Sequence, residues 1–334
     1  MNIKETLFDI SNAVSLGNIT EASSVAFKIL SKYTSATQNG INVIGTIAGD
    51  SDYTLMLEAH IDEVGFIVTD VDNSGFLTVK NCGGIDLRML PARTVTIHGK
   101  ENVVGVFCAT PPHLGGPKEY DDISTLKVDT LLGEKAKDVI SIGDFVTFNT
   151  KAMSLQNDRI TGKSLDNRAG VVCLLELAKR LSGKKLPYNI VFALTDAEEL
   201  GNRGAITSAF SVSPDEAIVL DVSFADAPDV SSDDCGKLGG GAMIGMSPVL
   251  DKSMSKKLVA LAKENNLPYQ TEVMGSRTGT NGDVISVSKS GVKTVLVSIP
   301  LRNMHTDVEI IDINDVINVC DLLENYILKG GNAQ

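Results

Sequence analysis

NIVFALTDAEELGNRGA, residues 189–205, is the stretch whose reading decides the fold. NIVFAL is a continuous apolar, β-branched run of strand length, so it reads as a strand buried on both faces. It ends in two adjacent carboxylates, Glu198 and Glu199, before Gly201 and Gly204 break the pattern. In open α/β sheets, ligands bind beyond the carboxyl ends of the strands. Neighbouring side chains leaving a strand diverge, so one glutamate can hold a cation while the other moves a proton. A lone Glu-Glu pair is more often a solvated acidic loop, and the remainder of the chain has to decide between the two.

The same arrangement recurs. YTLMLEAHIDEVG (53–65) is a second apolar run, ending in His60, Asp62 and Glu63. His60 and Asp62 fall on one side of an extended segment, where the carboxylate can orient the imidazole. Asp166 precedes an apolar helix expected over Ala169–Leu181, where a cap is the simplest role for it. Asp221 lies inside the strand pattern AIVLDVSF, and a buried carboxylate there needs a partner. KTVLVSIP runs out towards His305. The periodicity also predicts helices over 2–14, 21–33, 252–265 and about 315–328. Between about 66 and 150, short alternating runs separated by Gly, Asn, Asp and Pro predict a β-rich unit, a barrel or a sandwich. His98 and His113, inside that unit, read as structural.

Composition narrows the function. Of 334 residues, 43% are hydrophobic and 22% charged, a globular balance, and a net charge of -12 argues against nucleic acid or anionic membrane as partners. No apolar run has the length of a membrane span. MNIKETLFDISNAV has no basic segment followed by an apolar one, and five cysteines are scattered without a CxxC pair. Both features predict a cytoplasmic protein with reduced thiols. His60, Asp166, Glu198, Glu199, Asp221 and His305 all fall at strand ends or at a helix start beside one. Two imidazoles with three or four carboxylates suit two divalent ions of the zinc or cobalt type, with manganese a third option. One carboxylate would bridge the ions and a spare one would act as general base.

In order along the chain, AHIDEVG (59–65), GKSLDNRAG (162–170), TDAEELGNRGA (195–205), LDVSFADAP (220–228) and IPLRNMHTDVEI (299–310) resemble the co-catalytic metallo-aminopeptidases of metallopeptidase family 42, the glutamyl and tetrahedral aminopeptidases. TVTIHGK (94–100) and PPHL (111–114) resemble the inserted domain of that family, so the resemblance covers nearly the whole chain. It implies an α/β fold, a mixed-sheet α/β/α dinuclear-metal exopeptidase domain (1–65 plus 151–334) with an inserted β-rich, barrel-like dimerisation domain (66–150). It implies His60 and Asp221 on one metal, Glu199 and His305 on the other, Asp166 bridging, Glu198 as general base to a metal-bridging hydroxide, and Asp62 orienting His60. It also implies short peptides as substrates and a homo-oligomer, a dimer assembling to a dodecamer. Another metal-dependent amide hydrolase (a deacylase or carboxypeptidase) and an inactive metal-binding scaffold are the alternatives. Two stretches depart from the family pattern. GTNGD (279–283) places Asn281 where an acid is usual, and Asn303, Thr306 and Asp307 replace the usual tyrosine and serine-proline. These departures are expected near the substrate side chain or an oligomer contact. Arg277 and Arg302 are candidates to receive an acidic substrate side chain.

Overall fold

The computed structural model describes residues 1–116, 120, 122–228, 230–233 and 235–330. An 11-stranded mixed sheet runs through the molecule, and four parallel strands form its centre. They are Lys293–Arg302, Glu216–Phe224, Thr54–His60 and Asn189–Thr195, neighbours in that order. Their near-continuous apolar sequences follow from burial on both faces. On one face Leu165–Leu181 packs against the sheet together with Ile3–Asn12 and Ile313–Leu328. Leu55, Leu57 and Ala59 point into that core. The opposite face carries Arg203–Val212 and Gly282–Ile285 over a smaller core that includes Met56, Val191, Ala193, Ala217, Val219 and Leu296.

Strand alternation then places the polar residues. Glu58 and His60 continue the Met56 side, Thr195 the Val191–Ala193 side, Asp221 and Ser223 the Ala217–Val219 side, and Ser298 the Leu296 side. All six therefore belong to one face of the sheet. Because the four strands are parallel, their carboxyl ends share one edge. Thr195 is directly opposite His60, and Asp221 is opposite Ser298.

A closed six-stranded barrel interrupts the sheet sequence, its strands running from Gly65–Val71 to Phe145–Phe148. It has its own core, in which the Phe66 ring meets Phe107 and Phe148 edge-on at 5.1 and 5.5 Å. The chain enters it five residues after His60. A barrel loop also reaches back: a Cβ on Gly83 would lie 2.8 Å from Val64 and 3.3 Å from the Glu199 Cβ, and one on Gly84 would lie 3.0 Å from His305 Nδ1. The glycines let the barrel backbone lie against the site.

The helix ends differ slightly from the periodicity. The first two helices are Ile3–Asn12 and Glu21–Leu30, and the last begins at Ile313 because Asp312 caps it, accepting from the Asn314 N–H at 2.8 Å. Among the described residues no helix is long and apolar enough to cross a membrane.

Candidate metal centre

His60, Asp166, Glu198, Glu199, Asp221 and His305 converge on one cavity of about 570 Å³ at the carboxyl edge of the parallel strands. His60 Nε2 lies 3.0 Å from Asp166 Oδ1 and 3.7 Å from Asp221 Oδ1. His305 Nε2 lies 3.4 Å from Asp166 Oδ2 and 3.4 Å from Glu199 Oε1. Two groups of three donors, His60/Asp166/Asp221 and Asp166/Glu199/His305, each have their ligand atoms within 4.8 Å of one another, and they share Asp166. A third such group joins His60 to Glu198 and Glu199.

Asp166 is free for this role because its neighbour takes the cap. Asp166 and Asn167 have non-helical backbone angles, and the Gly170 N–H donates to Asn167 Oδ1 at 3.0 Å. Asn167 Nδ2 donates to the Leu220 carbonyl at 2.7 Å, tying this turn to the strand of Asp221. The capping role read for Asp166 thus belongs to Asn167.

Asp62 does two things. Its Oδ1 lies 3.3 Å from His60 Nδ1, and its two oxygens accept the backbone N–H groups of Glu198 (3.1 Å) and Glu199 (3.3 Å). It therefore fixes the turn carrying both glutamates as well as facing the imidazole. Glu63, its neighbour in the sequence, is turned away into a buried ion cluster with Lys163 (2.5 Å) and Arg168 (3.4 Å).

The electrostatics are those of carboxylates crowded out of water. Burial pushes the Glu198 carboxyl up to about 8, with the charges of Asp221, Glu199 and Asp166 adding to the rise against the pull of His60. Burial likewise raises Glu199 and Asp221. Hydrogen bonding to Asp166 and Glu199 raises His305 to about 11. Burial opposes charge on His60, but its contacts with Asp166, Asp221 and Asp62 outweigh that and lift it well above the usual histidine range. Burial also acts against ionisation of Asp166, yet the two histidines hold it well below the usual range. Burial and mutual repulsion oppose the charge of these carboxylates, so positive charge placed among them is favourable. The donor types, imidazole and carboxylate, fit zinc-like or cobalt-like ions.

Glu309 was not singled out by the sequence. It is buried, and its two carboxylate oxygens accept the backbone N–H groups of Asp166 and His305, each at 3.0 Å. One side chain thus positions the donor shared by two of the groups, Asp166, and a second donor of one of them, His305. No local pattern signals it, because its partners lie 143 and 4 residues away. Glu309→Gln replaces an acceptor oxygen with a donor NH₂ facing a backbone N–H. We expect about a 10–100-fold loss of metal affinity or turnover, measured by metal titration and steady-state kinetics.

The departing residues each bond to other parts of the chain. Asn281 is buried beneath the site, where its Nδ2 donates to Glu58 Oε1 (2.7 Å) and Thr195 Oγ1 (3.2 Å), and its Oδ1 accepts from Asn202 Nδ2 (2.9 Å). Asn202 Nδ2 also donates to Glu198 Oε1 at 3.2 Å. An acid at 281 would oppose the Glu58 carboxyl, whereas the asparagine supplies a donor. Asp283 accepts the Thr278 and Gly279 N–H groups and closes its own loop. Asp307 is buried between Thr150 (2.5 Å) and Arg93 of the barrel (3.5 Å). Asn303 donates to the Val308 carbonyl at 3.2 Å, and Thr306 donates to the Asn303 carbonyl at 2.7 Å, so both serve the turn that presents His305. Arg302 pairs with Asp226 at 2.9 Å and Arg277 lines a separate surface cavity, so neither faces the metal centre. His98 is structural, bonded to Asn102 and Thr147, and His113 lies in a short 3-10 turn and does not line the cavity.

Residues 41–322 match the family model described as M42 glutamyl aminopeptidase. The chain is 30% identical over 290 residues to the lysyl aminopeptidase of Pyrococcus furiosus, covering 84% of this chain and 83% of that protein. Its structure superposes on that of aminopeptidase APDkam598 from the archaeon Desulfurococcus kamchatkensis with a TM-score of 0.92 and 27% identity, over 98% of this chain and 95% of that one. The Pyrococcus horikoshii TET1 peptidase, described as assembling into a tetrahedron or a large octahedral shell, superposes with a TM-score of 0.86 and 27% identity over 98% of this chain and 100% of that one.

Proposed function

This chain belongs to the M42 glutamyl aminopeptidase family, and from that premise we propose that it removes N-terminal residues from short peptides at a centre of two divalent ions, with Glu198 as general base. The observation that carries the reading is the pair of three-donor groups sharing Asp166, with the Glu198 carboxylate beside them and outside both. His60, Asp166 and Asp221 would hold one ion, and Asp166, Glu199 and His305 the other. Zinc or cobalt suits these donors best, with manganese a third option. Ions so held lower the pKa of a bound water and polarise a carbonyl.

The remaining work falls to the side chains. Glu198 takes the proton from the attacking water and returns it to the leaving amine. Its carboxyl is held for this by Asn202, and the turn beneath it by Asp62. Asp62 also faces His60 and keeps the imidazole in the orientation that presents Nε2 to the ion. We further propose that residues 66–150 are an inserted dimerisation unit within a catalytic unit of 1–65 plus 151–334, that dimers assemble to a dodecamer, and that the enzyme works in the cytoplasm. The separate barrel core and the shell-forming structural neighbour support the assembly.

The test is hydrolysis of aminoacyl-nitroanilides by protein re-loaded with zinc or cobalt, each substrate paired with its N-acetylated form. Cleavage confined to free-amine substrates is the expected result. Release of nitroaniline from the acetylated forms at similar rates would replace the aminopeptidase with an amide hydrolase that needs no free amine, and release of acetate from them would make it a deacylase.

A further inference from the structure

The cavity that holds the donor groups is strongly acidic beyond what those groups require. Among the described residues, six carboxylates line it and no lysine or arginine does. Four of them, Asp166, Glu198, Glu199 and Asp221, match the charge of two divalent ions. Glu272 and Asp233 are left over.

Glu272 is the better placed of the two. It lies on the strand Tyr269–Val273, which pairs with Ala242–Met246 at the border of the central sheet. The Ser298 hydroxyl donates to its Oε2 at 2.9 Å and the Ser223 hydroxyl donates to its Oε1. Both serines are tied to the metal centre by strand geometry: Ser298 is opposite Asp221, and Ser223 is two residues beyond it on the same face. Two residues along a strand span about 6.6 Å, a distance that the four-carbon stem of lysine covers. Met243 and Leu296 supply apolar wall for such a stem, and Phe224 stands exposed at the rim. Burial pushes the Glu272 carboxyl upward while the two hydroxyls oppose that rise. Among the described residues no lysine, arginine or histidine pairs with this half-buried carboxylate.

We infer that this enzyme selects peptides with an N-terminal lysine or arginine, and that Glu272 is the side chain that receives the substrate cation. The inference rests on the aminopeptidase reading above. A peptide whose first side chain is acidic would meet Glu272 and Asp233 as like charges, with neither Arg277 nor Arg302 at hand to relieve them.

The comparison that isolates charge is lysine against norleucine, which shares the stem and lacks the ammonium. With the zinc- or cobalt-loaded protein, kcat/KM for lysyl-nitroanilide should exceed that for norleucyl-nitroanilide by about tenfold or more, the effect of one charge-assisted hydrogen bond. Glutamyl-nitroanilide should be the poorest of the three. In Glu272→Gln, which keeps the side-chain shape, the lysine-to-norleucine ratio should fall towards one, and a ratio cancels any general loss of folded enzyme. A wild-type ratio of one or less, or a ratio unchanged in Glu272→Gln, overturns the inference while leaving the aminopeptidase intact. If no free-amine substrate is cleaved, the aminopeptidase reading fails. Binding of lysinamide against norleucinamide to the loaded protein, followed by calorimetry, then decides the pocket on its own: tighter lysinamide supports it, and equal or weaker binding overturns it.

Discussion

Glu198→Gln is expected to lower kcat by about 10³-fold while both ions stay bound. Glu198 is outside the two donor groups that share Asp166, so its removal as a base leaves His60, Asp166, Asp221, Glu199 and His305 in place. The glutamine amide oxygen can still accept from Asn202 Nδ2, now 3.2 Å from Glu198 Oε1, so the turn should hold its shape. What is lost is the ability to take a proton. The same group predicts the acid side of the pH profile. Burial raises its carboxyl to about 8 in the absence of cations, and nearby positive ions favour the carboxylate and lower that value. A base works only when deprotonated, so kcat/KM should fall as pH drops through a point below 8, and the residual activity of Glu198→Gln should lack that limb. Metal content by elemental analysis and a pH–rate series check both statements. Ordinary turnover in the variant would remove Glu198 from the chemistry, and loss of an ion would make it a ligand.

The strand-end rule was enough to find the donors, because a parallel sheet collects its carboxyl ends at one edge whatever the loops do. No one of His60, Asp221 and Glu199 is specific alone, and only the ordered set with Asp166 and His305 pointed to a metal site. The barrel was legible for a similar reason, since short alternating runs with turn residues between them have few other folds. What stayed hidden depends on contacts between distant segments. Glu309 looks like one acid among several in a polar turn, and only the fold shows it holding Asp166 and His305 by their backbone N–H groups. Glu63 shows the opposite failure: it shares a motif with His60 and Asp62 yet is used for a buried cluster with Lys163 and Arg168. Asn281 is a third instance. Its departure from the family pattern suggested a place near the substrate side chain or an oligomer contact, and the sequence could not show that its side chain bonds Glu58, 223 residues away. Nothing in the sequence marks the Gly83-Gly84 pair, whose backbone lies close against Val64, Glu199 and His305. Nor can a sequence show backbone cost. Ser164, Ala197, Asn202, Asn303 and His305 all take positive φ around this one centre, at about 1–3 kcal/mol each, a cost that the surrounding packing has to offset.

Removal of Asp166 is expected to be the most damaging single change, because it alone belongs to both donor groups that include a carboxylate bridge to each histidine. Its Oδ1 faces His60 Nε2 at 3.0 Å and its Oδ2 faces His305 Nε2 at 3.4 Å, so this one carboxylate spans the two histidines. Asp166→Ala should fall to less than one tightly bound ion per chain and lose at least about 10³-fold in turnover, since it forfeits both the bridge and the ions it holds. His305→Ala, which touches only one of the two groups, should keep one ion. Stability separates this from simple misfolding. Asp166 is held below the usual carboxylate range in the folded chain, so it contributes stability above the ordinary aspartate pKa that is lost as pH falls through its folded value. The metal-free variant should therefore melt somewhat below the metal-free wild type at neutral pH, with the gap closing in acid. The wild type should in addition gain stability when zinc or cobalt is supplied, because an ion that binds only the folded chain stabilises it. That gain should be absent in Asp166→Ala and partial in His305→Ala. An Asp166→Ala protein that still binds two ions and still shows the full rise in Tm would mean that the bridge is another carboxylate, with Glu199, already within reach of both histidines, the one to replace next.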